Sequence, residues 1–227
     1  MYVSLGSDCV VKKRLEEYCY GSKQVSHMFD WVLSDLNAVC YMLKNVDKIS
    51  EEYFEIVTKT VEGYYVVRHK LCYFVSLHDA EVASGEDVAI FDVVQKYSRR
   101  IKRLIDCIKK QDSITFIGNF DDYNPIHEGN CNLSVEDLMN FFRTINEINP
   151  LNNHSLCILT NKPNGIVSLN EFQRVTIINT REYLDINKET KDWYRFFLDW
   201  ESLFKRIGVP TFSPTNTRGQ DVLIGIP

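Results

Sequence analysis

Short apolar runs alternate with longer amphipathic segments through most of the chain. Runs of this length, bounded by polar or turn residues, are typical of buried strands. The amphipathic segments repeat apolar residues every three or four positions, which predicts helices that bury one face. The predicted strands cover the opening residues 3–5 and then 113–119, 156–161 and 175–180, and the predicted helices cover 10–18, 36–43, 87–110, 134–148 and 192–207.

This alternation predicts an α/β fold with a mainly parallel central sheet flanked by helices. Between residues 64 and 77 the pattern changes to two aromatic and β-branched runs separated by Lys70. They indicate either an antiparallel hairpin or two adjacent pieces of a sheet edge. We find no repeat, low-complexity stretch or linker, so we predict one globular domain over residues 1–227. Its Pro-, Gly- and Thr-rich tail, residues 208–227, is expected to be irregular.

Composition and charge narrow the class of protein. The 227 residues are 44% hydrophobic and 25% charged, as in ordinary globular proteins. A net charge of −5 argues against a nucleic-acid or anionic-membrane surface as the main partner. No apolar run approaches the ~20 residues that span a bilayer, and the first residues do not resemble a secretory signal. We therefore expect a cytoplasmic protein that binds neither nucleic acid nor membrane.

The seven cysteines are widely spaced, odd in number and without a C-x-x-C pair. Reduced thiols are therefore expected. A metal site built from His69, Cys72 and His78 is conceivable, but this spacing matches no compact zinc pattern. We predict neither a metal nor a cofactor.

The opening stretch, Val3 to Val11, is the strongest candidate for chemistry. It predicts a short strand, a Gly-Ser-Asp turn and Cys9 at the first turn of a helix. Ser7 or Asp8 can cap that helix, and its positive end favours a thiolate at Cys9. The simpler alternative is that Cys9 is a small buried apolar residue.

Cysteine catalysis needs a base within hydrogen-bond reach and a group that orients the base. His78 is the predicted base, because it follows an apolar run and precedes an acid. The orienting group is Asp79, Asp30 or Asn119. Ligands bind beyond the carboxyl ends of parallel strands, so these residues are expected to converge there. The converging set is Ser7, Asp8, Cys9, His78, Asp79, Asn119 and Asn161.

A second enzymatic hypothesis makes Ser7 the nucleophile of an SGNH-like serine hydrolase, with Gly118 and Asn119 supplying oxyanion donors. Such enzymes place an acid and a histidine late in the chain, and no histidine follows His154. The sequence also has no G-x-S-x-G elbow, no Walker A lysine motif and no G-x-G-x-x-G loop.

Four segments occur in a characteristic order: Ser4-Leu5-Gly6-Ser7-Asp8-Cys9, Phe29-Asp30-Trp31, Leu77-His78-Asp79, and the helical stretch from Lys96 to Leu104. Together they resemble an uncharacterised family of papain-like cysteine peptidases from bacteria and some large DNA viruses. Its pattern is S-L-G-x-x-C, F-D-W, H-D and Y-x-R-R-I-x-R-L. The resemblance covers about the first half of the chain.

The resemblance implies a Cys–His hydrolase acting on a peptide or acyl substrate, with Cys9 and His78 as its catalytic pair. It also raises Asp30, Asp79 and Trp31 as site residues. The helix arginines either bind an anionic substrate or pair with Asp30 or Asp79, and pairing is the simpler role. These arginines are Arg99, Arg100 and Arg103. A papain-like α+β fold is the alternative architecture that the resemblance implies.

A non-enzymatic protein is the rival hypothesis. It would be an interaction module, for example a viral host-binding protein, that kept the fold without the activity. Cys9 would then serve packing, and the aspartates and arginines would form a structural network. The reactivity of Cys9 separates the two hypotheses, because an activated thiol reacts well below the pKa of a free thiol.

Overall fold

The computed structural model describes residues 1–6, 10–20, 26–119, 133–161, 173–184 and 198–210, with residues 19 and 20 described by their backbone alone. The strands are β1 (Tyr2–Ser4), β2 (Val32–Ser34), β3 (Phe54–Lys59), β4 (Tyr65–His69), β5 (Phe74–Ser76), β6 (Thr115–Asn119), β7 (Ser155–Thr160) and β8 (Val175–Asn179). The α-helices are α1 (Val10–Leu15), α2 (Leu36–Lys44), α3 (Glu86–Lys110), α4 (Val135–Ile148) and α5 (Trp200–Arg206).

One sheet is entirely parallel, with the strand order β1-β6-β7-β8. Its successive residues point to opposite faces, and both faces are buried. Phe116 and Leu156 pack with α3 and α4 in the larger core, whereas Ile117 and Cys157 pack with α1 and α5 in a second core. Parallel strands that are covered on both faces consist of consecutive apolar residues, which is why the sequence pattern predicted β6 and β7. The predicted α/β fold is confirmed.

The second sheet is antiparallel, with the strand order β2-β5-β4-β3. Its inner face, which includes Val67 and Phe74, joins the larger core beside α2 and α3. Its outer face carries the small cluster of Leu33, Val66 and Val75. The predicted hairpin between residues 64 and 77 is therefore confirmed as β4 and β5. The papain-like α+β alternative does not account for the four parallel strands.

The helices begin and end close to the predicted limits where their caps are visible in the sequence. Asp35 caps α2, and Ser134 caps α4 in a reciprocal capping box with Asp137. After α1 the chain continues as a π-helix, Glu16–Tyr20. The helix predicted over 192–207 is helical only from Trp200 in the described chain, because Leu198 forms a bridge with Leu184 and Asp199 caps α5.

The two sheets meet where β1 ends. Gly6 has φ +85°, and a side chain there would overlap the Ser34 hydroxyl and lie 3.1 Å from the Val32 carbonyl oxygen. The Ser34 hydroxyl donates a hydrogen bond of 2.9 Å to the Leu5 carbonyl oxygen. A glycine is needed here both for the backbone angle and for the close approach. Strand β2 is thereby held against the segment that leads from β1 towards Cys9.

The described helices include none that combines the length and the apolar character of a transmembrane span.

Candidate functional site

The predicted nucleophile lies outside the described residues, together with its neighbours Ser7 and Asp8. The separation of Cys9 from His78 and the alternative nucleophile Ser7 therefore stay predictions. The described residues that flank this segment, Gly6 and Val10, are both buried. They fix where the chain enters and leaves the segment.

Asp30 lies in the turn before β2 and is 1% exposed. Its Oδ2 accepts a hydrogen bond of 2.6 Å from the backbone N–H of His27 and lies 3.2 Å from Lys12 Nζ. Lys12 is equally buried and also lies 3.3 Å from Glu16 Oε1. Burial raises the pKa of Asp30 to about 6, and the opposite charge of Lys12 offsets only part of that effect.

His27 packs beside this ion pair and is 4% exposed. Burial lowers its pKa to about 4, and the positive charges of Lys12 and Arg103 lower it further. Neither ring nitrogen of His27 hydrogen-bonds to another residue in the described chain, and the same holds for Asp30 Oδ1. The imidazole is therefore neutral near pH 7, and no residue of the described chain hydrogen-bonds to its ring nitrogens.

Asp79 is the second motif carboxylate, and it is bound from several sides. It accepts hydrogen bonds from Ser76 Oγ at 3.2 Å, from Lys96 Nζ at 2.9 Å and from the Tyr97 hydroxyl. Burial by itself would raise the pKa of Asp79. The hydrogen bonds from Tyr97 and Lys96, with the charges of Lys96 and Arg100, lower it instead. Asp79 is thus an ionised anchor between β5 and α3.

The three arginines of α3 occupy different environments. Arg100 is 12% exposed, its Nη1 lies 3.7 Å from Asp79 Oδ2, and its charge also acts on Asp30. Arg103 is exposed and acts on His27 only through its charge. Arg99 is exposed and makes no ion pair within the described chain. Only Arg100 thus lies within ion-pair distance of a motif carboxylate.

His78 is exposed on the turn after β5, and its ring packs in a T-shaped arrangement with the Tyr64 ring, with 5.8 Å between the ring centroids. The hydrogen bonds of Asp30 and Asp79 go to other groups, so in this structure neither carboxylate orients the His78 ring. Trp31 is half-buried in the turn before β2. Asn119 is fully buried at the end of β6, and a role in orienting His78 stays a prediction.

The expected convergence at one sheet edge holds for only part of the predicted set. Asn119 ends β6 and Asn161 follows β7, so both lie at the carboxyl edge of the parallel sheet. His78 and Asp79 instead follow β5 of the antiparallel sheet, because that strand pairs with β2 and β4. The sequence did not distinguish the two sheets, because β5 is as apolar as a parallel strand.

Strand β2 nevertheless brings the motifs towards each other. Val32 pairs with Ser76 in antiparallel register, so the residues before β2 and those after β5 emerge at the same end of the pair. Asp30 and His78 therefore lie at one end. A side chain on Gly6 would come within 3.2 Å of the Phe29 carbonyl oxygen, which places the entry to the Cys9 segment beside this turn as well.

Sequence reasoning missed Lys12, His27 and Glu16 as members of this network. Lys12 belongs to the charged face of the predicted first helix, and no sequence pattern distinguishes a buried lysine from an exposed one. The available signal was the i, i+4 spacing of Lys12 and Glu16, which suits a helical ion pair.

The four cysteines with described side chains have raised pKa values, and burial is the first cause in each case. The pKa of Cys40 rises to about 11 and that of Cys72 to about 12, and those of Cys107 and Cys157 are also raised. Cys72 Sγ lies 3.4 Å from His69 Nδ1, and the same nitrogen accepts the N–H of Leu71. The described chain contains no cluster of three metal-ligating side chains.

The fold and the network together define an α/β protein in which two motif carboxylates pair with cationic side chains, Asp30 with the buried Lys12 and Asp79 with the partly exposed Lys96 and Arg100. A family model described as "Putative papain-like cysteine peptidase (DUF1796)" matches residues 1–162. This match covers more than two thirds of the chain, and the chain belongs to that family. No curated protein and no solved structure shows significant similarity to the chain.

Proposed function

We propose that this protein is a cysteine-dependent hydrolase that cleaves an amide or related acyl bond in a peptide. Cys9 attacks the acyl carbon as a thiolate, and His78 takes the thiol proton and returns it to the leaving amine. Water then attacks the acyl-enzyme, with His78 accepting the water proton, and the Cys9 thiol is released. Membership of the cysteine peptidase family supports this chemistry.

One observation carries the proposal: the described residues that precede Cys9 and His78 both lie beside the start of β2. Gly6 approaches the carbonyls of Phe29 and Val32, and Val32 pairs with Ser76, two residues before His78. The segment containing Cys9 and the turn containing His78 therefore start from neighbouring positions. A base and its nucleophile must come within hydrogen-bond reach, and this topology favours that approach.

The two motif carboxylates act in this proposal as positioning residues. The ion pair between Asp30 and Lys12 holds α1, which follows Cys9, against the turn before β2. The bonds of Asp79 to Tyr97 and Lys96 hold the turn that carries His78 against α3. Both functional segments are thereby attached to buried, rigid elements.

The test is the rate at which each cysteine is alkylated by iodoacetamide at pH 6, followed by peptide mass spectrometry. Cys9 is expected to react first, because burial has raised the pKa of Cys40, Cys72, Cys107 and Cys157 and leaves them as thiols. The variant His78→Gln should slow labelling of Cys9 at least tenfold.

The control is His127→Gln, at a histidine that lies outside the described residues and to which the mechanism gives no role. Labelling of Cys9 in this control should equal the wild-type rate. If Cys9 in the wild-type protein reacts no faster than the half-buried Cys107, the proposed hydrolase is wrong.

The second candidate is a non-catalytic interaction protein that retained the fold. One observation favours it: the hydrogen bonds of Asp30 and Asp79 serve the structure and leave His78 without an orienting carboxylate. On that hypothesis Cys9 reacts like the other cysteines. The same labelling experiment therefore decides between the two functions.

A further inference from the structure

A cavity of about 680 Å³ lies between the turn that follows β5 and the first half of α3. Its wall includes Asp79, the residue after the proposed base His78. The residues that line it and carry the argument are Asp79, Phe91, Asp92, Lys96 and Arg99. The cavity thus adjoins the proposed catalytic turn and is built from described residues.

Some charged side chains of this cavity form ion pairs with each other, and others do not. Asp79 and Lys96 neutralise each other, with an N–O distance of 2.9 Å. Asp92 and Arg99 are both exposed, and neither forms an ion pair with any residue in the described ranges. Glu81 also lines the cavity, is exposed and forms no ion pair in those ranges, so the cavity presents two available carboxylates, Asp92 and Glu81, and one available guanidinium to a ligand.

Two of these available charges, Asp92 and Arg99, lie on one face of α3 at a defined spacing. Asp92, Lys96 and Arg99 follow one another at i, i+4 and i+7, which places them along one side of the helix. Seven residues of α-helix span about 10 Å. Three residues of an extended peptide span about the same length, since each adds roughly 3.3 Å.

Apolar surface accompanies the acidic end of the cavity. Phe91 is 47% exposed and lies beside Asp92, and Ala80 and Ala89 also contribute to the wall. The methylene groups of a long basic side chain can pack on such a ring while its charged end reaches a carboxylate. The acidic end therefore suits a lysine or arginine of the ligand.

We propose that this cavity is the substrate groove of the hydrolase, and that it binds an extended peptide with a basic and an acidic side chain three residues apart. The basic side chain pairs with Asp92 and the acidic one with Arg99. That the bound peptide is a substrate rests on the proposed function. The binding of the peptide itself rests only on the cavity and its charges.

The test measures fluorescence anisotropy of labelled peptides with the Cys9→Ala protein at low ionic strength. The peptides are Gly-Lys-Ala-Ala-Glu-Gly, its reverse-order form Gly-Glu-Ala-Ala-Lys-Gly, and Gly-Lys-Glu-Ala-Ala-Gly, which has the same composition with adjacent charges. We expect one of the two spaced peptides to bind at least threefold more tightly than the adjacent-charge peptide.

Charge reversal then identifies the groove. Arg99→Glu should weaken binding of the preferred peptide about two- to fivefold, which is the range for an exposed ion pair. The matched control Lys102→Glu changes the net charge equally at an exposed position of α3 outside the cavity, and it should leave the affinity unchanged. The double variant Asp92→Arg/Arg99→Glu should exchange the preference between the two spaced peptides.

Equal binding of all three peptides, or equal effects of Arg99→Glu and Lys102→Glu, would overturn the groove. Alkylation of Cys9, measured on the Arg99→Glu protein and on the wild type, keeps this outcome separate from the hydrolase. Fast labelling without peptide selectivity rejects the groove alone, and selectivity without fast labelling rejects the hydrolase alone.

Discussion

Lys12 and Asp30 form an ion pair with an N–O distance of 3.2 Å, and each side chain is only 1% exposed. Both charges of a buried ion pair lose their hydration, and the attraction between them roughly compensates for that loss. Its presence therefore says little about net stability. Removal of one partner is different, because the other buried charge then loses an attraction that offset its lost hydration.

The variant Asp30→Ala is expected to lower the free energy of unfolding by about 3–5 kcal/mol, because it removes the buried carboxylate that pairs with the buried ammonium of Lys12. The measurement is urea unfolding followed by circular dichroism. The double variant Lys12→Met/Asp30→Leu should recover a large part of the loss. The exposed pair between Arg68 and Glu55 gives the control, and Glu55→Ala should cost less than about 1 kcal/mol. Equal losses for the two single variants would contradict the buried pair.

The pH dependence of stability should contain two opposing contributions from neighbouring groups. The pKa of Asp30 is raised by folding to about 6, so its contribution is present at low pH and is lost as pH rises through 6. The pKa of His27 is lowered by folding to about 4, so its contribution is present above pH 6.5 and is lost as pH falls towards 4. Between pH 4 and 6 the two contributions offset each other.

The variant His27→Asn removes one of the two contributions and should expose the other. Its free energy of unfolding, relative to the wild type, should rise as pH is lowered from 6.5 to 4, because the variant no longer loses the histidine contribution. Urea unfolding at half-unit pH steps measures this difference. A difference that is flat over this range would mean that His27 titrates normally in the folded protein.

Sequence patterns predicted the elements that are buried on two faces or capped by polar side chains. Phe116 and Ile117 belong to different cores, yet both are apolar, so β6 stands out as an uninterrupted run. The capping box of Ser134 and Asp137 likewise marked the start of α4. By contrast, β3 carries mixed polar residues because it is an edge strand with an exposed face, and no run predicted it.

The candidate site was predictable as a set of motifs but not as a set of contacts. The sequence related Asp79 to the α3 arginines, and the structure places Arg100 within 3.7 Å of it. Lys96 and Tyr97 bind Asp79 more closely, and only the folded geometry shows which of the polar residues on α3 faces the carboxylate. Burial of Lys12 is likewise a tertiary property that no local pattern contains.

Gly6 provides a third prediction, because its backbone angle and its surroundings both exclude a side chain. The variant Gly6→Ala should lower the free energy of unfolding by about 2–4 kcal/mol, through strain at positive φ and overlap with the Ser34 hydroxyl. Gly85→Ala is the matched control, since Gly85 has φ +80° with no atom within 4 Å of the added carbon. It should show the backbone cost alone, about 1–3 kcal/mol. Equal losses would place the cost in the backbone angle and contradict the close approach of β2.

The hydrogen bond from Tyr97 to Asp79 provides the last prediction. Tyr97 is fully buried, and its hydroxyl donates to a carboxylate, the kind of hydrogen bond that contributes about 1.5–3 kcal/mol. Tyr97→Phe should therefore lower the free energy of unfolding by that amount at pH 7. Because loss of this donor raises the pKa of Asp79, the loss of stability should shrink as pH falls and the carboxyl group becomes protonated.

The control is Tyr65→Phe, since Tyr65 is also buried but its hydroxyl makes no hydrogen bond within the described chain. That variant should be nearly neutral at every pH. If Tyr97→Phe were equally neutral, Lys96 and Arg100 would suffice to hold Asp79, and the turn that carries His78 would depend on charge rather than on the tyrosine. If its cost were constant between pH 7 and pH 3, Asp79 would not be the acceptor that gives the tyrosine its effect.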